Sequence, residues 1–165
     1  YISPTMRFYI DTNIWVDFHR AGLLDVLFSL PYEFCTTDFV KAELIAPEAL
    51  RLISLGLKIH DLSGEEINRL GVLMQTLNYS SLADVSCFFL ADKLQCTLLT
   101  GDGRLRKLAA KRFVVVHGSL WLLDRLVESK AISKKKATEA LRAMMDEESR
   151  FPEEECRKRF SAWGT

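Results

Sequence analysis

The stretch RFYIDTNIWVDFHR, residues 7–20, decides the fold class. Its first four residues are an apolar run ending at Ile10, short enough for a strand, and the nine after Asp11 set Ile14, Trp15 and Phe18 at helical spacing. Asp11 stands between the two as a natural N-cap, and Gly22 breaks the pattern beyond Arg20. A strand that hands the chain straight to a helix is the opening half of a βαβ unit.

The rest of the chain repeats the pattern. Residues 32–35 read as a second strand, leading through Thr36, Thr37 and Asp38 into the helix-like FVKAEL, which Pro47 interrupts. Residues 57–60 form a third short strand. Ser63 with Glu66 is a capping-box signature, and Ile67, Leu70, Leu73, Met74 and Leu77 continue an apolar helical stripe to about Asn78. SLADVSCFFLADKL is a further helix, CTLLT a fourth strand, GRLRKLAAKR a helix, and FVVV a fifth strand running up to His117. Five strands alternating with helices predict an α/β fold: a three-layer α/β/α sandwich, Rossmann-like, around a central parallel sheet of about five strands. Three helices follow. The first covers residues 119–128, the second is capped by Ser133, and the third begins at Pro152 and carries Cys156, Phe160 and Trp163. The expected organisation is one domain over 1–165, with an α/β core at 6–116 and a helical C-terminal extension at 117–165.

Composition sets the outer limits. A chain of 165 residues, 48% hydrophobic and 27% charged, is ordinary globular sequence, which excludes long disorder and collagen-like architecture. No apolar run reaches the ~18 residues of a membrane span, and residues 1–7 lack a basic segment followed by an apolar one, so a cytoplasmic protein with no membrane partner is expected. Basic and acidic side chains balance at 22 each, but unevenly: residues 1–80 hold 6 basic and 10 acidic, residues 81–165 hold 16 and 12. Cys35, Cys87, Cys96 and Cys156 form no C-x-x-C pair and lie in apolar segments, which predicts reduced, buried thiols and no zinc site.

Four acids carry the chemistry. Asp11 and Asp102 each follow a predicted strand, at the edge where open α/β sheets bind ligands. Glu43 lies in the helix after the second strand, and Asp84 in the first turn of the helix that feeds the fourth. Each has a plain structural reading as well: Asp11 and Asp102 as N-caps, Asp84 in a capping box with Ser81, Glu43 as a solvated helix residue. Capping does not explain why acids recur at strand carboxyl ends with Asn13 and Thr100 each two residues from one. Converging carboxylates repel unless a cation intervenes, and an all-oxygen donor set suits magnesium or manganese. Such an ion activates water and stabilises charge on a phosphoryl group.

At this point the residues resemble a known family. FYIDTNIW, FVKAEL, SLADVSCFFLA and LLTGDGRLRKLA stand in the order of the PIN-domain nucleases and on the corresponding elements, over most of residues 6–116. The resemblance implies that Asp11, Glu43, Asp84 and Asp102 are catalytic and metal-binding, with Asn13 and Thr100 supporting them. It implies Mg2+ or Mn2+ as cofactor, RNA as substrate and hydrolysis as the reaction. It also implies the toxin of a type II toxin/antitoxin pair, with an antitoxin protein and a homodimer as partners. The alternative within the family is an inactive domain kept for protein or RNA binding. A haloacid-dehalogenase-type phosphotransferase wants a second aspartate where this chain has Asn13, and a receiver-type phosphoacceptor wants an acidic pair where Asp11 is followed by Thr12.

Past Asp102 the helix carries five basic residues without an acid. Of these Arg104, Lys107 and Lys111 share one stripe, with Leu105, Leu108 and Ala109 opposite, and are the candidate RNA contacts. His117 is expected as a hydrogen-bonded strand-end histidine. His19 and His60 have no partner spacing. Trp15 and Trp121 read as core, and Trp163 as core or a contact with another chain.

Overall fold

The computed structural model describes residues 5–77, 81–145 and 151–164. Its first unit is the expected one: strand β1 (Met6–Ile10) passes through Asp11 directly into helix α1 (Thr12–Arg20). A short helix α2 (Leu24–Leu27) precedes β2 (Tyr32–Thr37), which runs two residues further than the sequence pattern indicated before helix α3 (Asp38–Glu43) begins. Thr36 and Thr37 belong to the strand because their hydroxyls face inward: Thr36 Oγ1 donates to the Ile10 carbonyl at 2.7 Å, and Thr37 caps α3 by accepting from Val40 N. Helix α4 (Ala49–Leu55), like α2, lies in a leucine-rich stretch too short to declare itself by periodicity. Then follow β3 (Lys58–His60), α5 (Gly64–Thr76), α6 (Leu82–Leu94), β4 (Thr97–Leu99), α7 (Gly103–Lys111) and β5 (Val116–His117). Helices α8 (Ser119–Glu128), α9 (Lys134–Met144) and α10 (Glu153–Trp163) complete the chain.

All strand pairs are parallel, in the order β3-β2-β1-β4-β5. The chain winds outward from β1 in one direction through β2 and β3, then returns to the other side of β1 with β4 and β5. The switch point lies between β1 and β4. There the register pairs Ile10 with Leu99, so Asp11 and Thr100 leave the sheet side by side. Helix α6 is buried at every position from Ala83 to Ala91 and lies against β1, β2 and β4, with α3, α5 and α7 beside it. An apolar helix without a polar face is the expected centre of a layer. The other layer is α1, packed on α8 and α9, with α10 against α9. This is the three-layer fold with a five-stranded parallel sheet.

Several local expectations shift. The fifth strand is Val116–His117 rather than FVVV, because β5 is an edge strand whose only ladder is to Leu98 and Leu99. Phe113 falls before that ladder, with φ of 60° in the turn after α7, and is 92% exposed. On α5 the capping box of Ser63 and Glu66 forms in both directions; Leu70 of the predicted stripe is buried and Leu73, Met74 and Leu77 pack partly buried against the core, but Ile67 faces solvent. Asn78, the expected end of that stripe, lies outside the described residues. Trp163 is buried within its own chain. The cysteines are free; Cys35, Cys87 and Cys156 are buried and Cys96 is partly so, with burial pushing all four thiols above their ordinary value. Among the described residues no helix is long and apolar enough to cross a membrane.

His60 has a place that its sequence spacing did not indicate. Its Nδ1 lies 3.2 Å from the Tyr9 hydroxyl and its Nε2 3.2 Å from Glu66 Oε1. Glu66 also accepts from Ser63 N at 2.9 Å and from Lys93 Nζ at 2.8 Å. Burial alone would raise the Glu66 carboxyl, but Lys93, the Ser63 amide and His60 together hold it at about 2, against 4.5 ordinarily. An ionised Glu66 only accepts, so His60 Nε2 carries a proton towards it. The contribution of this carboxylate to stability is complete above about pH 5 and is lost as pH falls towards about 2. Glu66→Gln is expected to lower unfolding free energy at neutral pH by roughly 1–3 kcal/mol. It should also flatten the acid limb of stability against pH, both read by urea denaturation.

Candidate active site

Asp11 is fully buried at the switch point, an unusual position for a carboxylate, and its surroundings show how it is kept there. Its backbone amide donates to the Leu99 carbonyl at 3.1 Å, which ties the end of β1 to β4. Its Oδ1 accepts from Ile14 N at 3.3 Å, the N-cap bond of α1. Its Oδ2 accepts from the buried Thr100 hydroxyl in a short hydrogen bond. The same Thr100 Oγ1 accepts from Asp102 N at 3.1 Å. One hydroxyl therefore joins the two strand-end acids. Asp102 in turn caps α7, its Oδ1 receiving Arg104 N at 2.8 Å and Leu105 N at 3.1 Å.

The capping roles are real. Glu43, exposed at the last position of α3, accepts the hydroxyl of Thr12, the residue next to Asp11. Asp84 is buried on the first turn of α6, with its amide capped by Ser81 Oγ at 3.2 Å. Burial raises the Cys87 thiol, and the charges of Asp11 and Asp84 raise it further, so both acids lie close to this one side chain. Ser86 fixes α6 to the end of β2. Thr37 and Ser86 share a 2.7 Å hydroxyl contact, and Ser86 donates onward to the Ala83 carbonyl at 2.6 Å. Asn13 is half-buried on the first turn of α1.

Among the described residues, no three His, Cys, Asp or Glu side chains are gathered tightly enough to cage a metal ion. The donors present are oxygens spread along one edge, with Asp11 and Asp102 bridged by Thr100. That suits a magnesium or manganese ion taking one or two carboxylates directly and keeping its remaining waters, and it does not suit zinc.

Helix α7 turns as expected: Leu105 and Ala109 are buried, while Arg104, Lys107 and Lys111 face solvent. Arg106 departs from that simple division. Its Nη2 donates to the Thr100 carbonyl at 3.1 Å, and burial lowers its pKa while the charge of Asp11 raises it in part. His117 is held by stacking rather than by a hydrogen bond, its ring 4.1 Å from Trp121 and 4° from parallel. Its pKa is lowered by burial and by the charges of Arg106 and Arg125. Trp121, expected as core, is only partly buried and lines a cavity beside Asp102. Asp17, which sequence spacing did not single out, is buried and accepts from Ser119 Oγ at 2.7 Å, joining α1 to α8.

The chain belongs to the PIN domain family: a family model described as PIN domain (DUF3368) matches residues 8–165. No curated protein matches it. Among solved structures it is similar to a PilT N-terminus domain protein from the hyperthermophilic archaeon Sulfolobus solfataricus P2. The TM-score is 0.54 at 16% identity, over 74% of this chain and 95% of that one. It is also similar to VapBC2 from Rickettsia felis bound to a DNA fragment from their promoter, with a TM-score of 0.47 at 17% identity, over 68% and 98%. The first likeness supports the three-layer fold.

The Thr100 hydroxyl is directly testable. Thr100→Val removes the donor to a buried carboxylate and the acceptor for the Asp102 amide. It should lower unfolding free energy by roughly 1–3 kcal/mol, whereas Thr100→Ser should retain most of it, as read by chemical denaturation.

Proposed function

We propose that this chain is a divalent-metal-dependent ribonuclease that hydrolyses RNA phosphodiester bonds at the β1–β4 switch point. The observation that carries the reading is the hydroxyl bridge: Thr100 fixes buried Asp11 and links it to Asp102 at the one edge where the strand order reverses. Membership of the PIN family supports it.

On this reading Asp11, Glu43, Asp84 and Asp102 would hold Mg2+ or Mn2+. The ion supplies a more acidic water and neutralises charge on the phosphoryl group. Asp11 is pre-set for the work, since Ile14 N and Thr100 Oγ1 hold its two oxygens and no rotamer search is needed on binding. Glu43, exposed and held by Thr12, would take the proton of the attacking water. Water would add to phosphorus as the bond to the leaving ribose oxygen breaks, and that oxygen would take a proton from solvent, leaving one phosphate monoester end and one hydroxyl end. Arg104, Lys107 and Lys111 present a basic stripe beside this edge to hold backbone phosphates without reading bases.

Asp11→Asn and Asp102→Asn keep side-chain shape and most capping ability, so each is expected to abolish cleavage of a single-stranded RNA in magnesium or manganese while circular dichroism stays native. Full activity in both would overturn the assignment. Saturating manganese should raise the melting temperature of the wild type, corresponding to ~2.7 kcal/mol at a hundredfold excess over its dissociation constant, and Asp11→Asn should lose that rise. Replacing Arg104, Lys107 and Lys111 together by Gln in an inactive background should flatten the salt dependence of RNA binding by up to ~2 units of slope.

A further inference from the structure

Beside Asp102 lies a cavity of about 570 Å³, walled by the start of α7, the end of β5, the first turn of α8 and residues of α10. Its size is that of a nucleotide-sized ligand pocket. Three features of its lining are unexplained by the acid site. His117 and Trp121 are stacked at the wall, a flat aromatic pair at a strand end. The guanidinium of Arg106 enters the same space and makes no ion pair among the described residues; its hydrogen bond is to the Thr100 carbonyl. Helix α8 starts at Gly118 with no side-chain cap on its first turn.

Gly118 and Arg106 belong together. A methyl at Gly118 would lie 2.5 Å from Arg106 Nη2, so the glycine is what lets the guanidinium rest over the start of α8. That places a fixed positive charge at the positive end of a helix dipole and beside an imidazole. A guanidinium and a helix N-terminus that face one space both favour an anion between them. By contrast, the other cation in the lining, Arg159, is already committed. It grips Asp124 through Nε at 3.1 Å and Nη2 at 2.7 Å, and Glu155 through Nη1 at 3.1 Å, which fastens α10 as a wall of the cavity.

We propose that this cavity is a nucleotide subsite. It takes one unpaired nucleotide of a single-stranded RNA, the base stacked on the His117–Trp121 pair and the phosphate held by Arg106 and the first turn of α8. The proposal rests on the nuclease reading for its choice of RNA, and what it adds is a stacking contact for one unpaired base.

The test is titration calorimetry of the full chain with adenosine monophosphate and, separately, inorganic phosphate, in chelator so that metal binding and cleavage contribute nothing. Saturable one-to-one binding of the nucleotide is expected. Arg106→Gln and Gly118→Ala should weaken both ligands by roughly tenfold or more. His117→Ala should weaken the nucleotide and leave phosphate unchanged, while His117→Phe, which preserves stacking, should bind the nucleotide nearly as the wild type does. Circular dichroism checks that each variant folds, and Arg106→Lys, which keeps the stem and the charge without the planar fork, serves if Arg106→Gln does not. No saturable nucleotide binding up to about 10 mM would overturn the subsite, and so would binding indifferent to both Arg106 and His117 replacements. A chain that binds nucleotide yet cleaves no RNA loses the nuclease reading alone; one that cleaves through Asp11 yet binds no nucleotide loses the subsite alone.

Discussion

A fully buried carboxylate between β1 and β4 is the constraint around which the rest is arranged. Taking an ionised aspartate out of water is costly unless hydrogen bonds replace the lost hydration; the Asp11 carboxylate accepts them from a helix N-terminus and the Thr100 hydroxyl, while its own amide donates to the neighbouring strand. Each of these fixes a different part of the fold. The Ile14 amide sets where α1 begins, the Leu99 carbonyl sets the β1–β4 register, and Thr100 sets the position of Asp102 and therefore the start of α7. An apolar residue at position 11 would end the strand as well. It would not join two helix starts across the point where the sheet reverses.

The second buried carboxylate makes the contrast. Glu66 is held by a lysine, a histidine and a backbone amide, so its charge is balanced within the chain and its carboxyl lies far below its ordinary value. Asp11 accepts from an amide and a hydroxyl. The guanidinium of Arg106 bonds the Thr100 carbonyl, and the charge of Asp11 raises its pKa in part. The Glu66 network ties β1, β3, α5 and α6 together, whereas Asp11 ties the ends of β1 and β4.

What could be read from the sequence follows from how far apart the interacting residues are. The caps at Asp11, Ser63, Ser81, Asp102 and Ser133 were legible because each is a bond between a side chain and an amide two or three residues on. The parallel sheet and the recurrence of acids at strand ends were legible from the alternation of strands and helices; the strand order was not. The Tyr9–His60 contact spans 51 residues and the Ser119–Asp17 contact 102, and no local pattern announces either. The displaced β5 shows the same limit: FVVV has strand composition, but an edge strand is placed by its one neighbour, and the turn after α7 consumes Phe113. The acids of the site were visible one at a time, and the hydroxyl that joins two of them became visible only when β1 and β4 lay side by side.

Arg106 shows why helical periodicity alone does not fix where a long side chain goes. Counting at 100° per residue puts it between the buried and exposed stripes of α7, where either direction is open to it. The direction is decided elsewhere, by a glycine twelve residues on that leaves room over the start of α8 and by a threonine carbonyl that supplies an acceptor. A long flexible side chain at such a boundary follows the space and the charge around it. The backbone pattern sets only its reach, and the helix that follows β5 determines what that reach can meet.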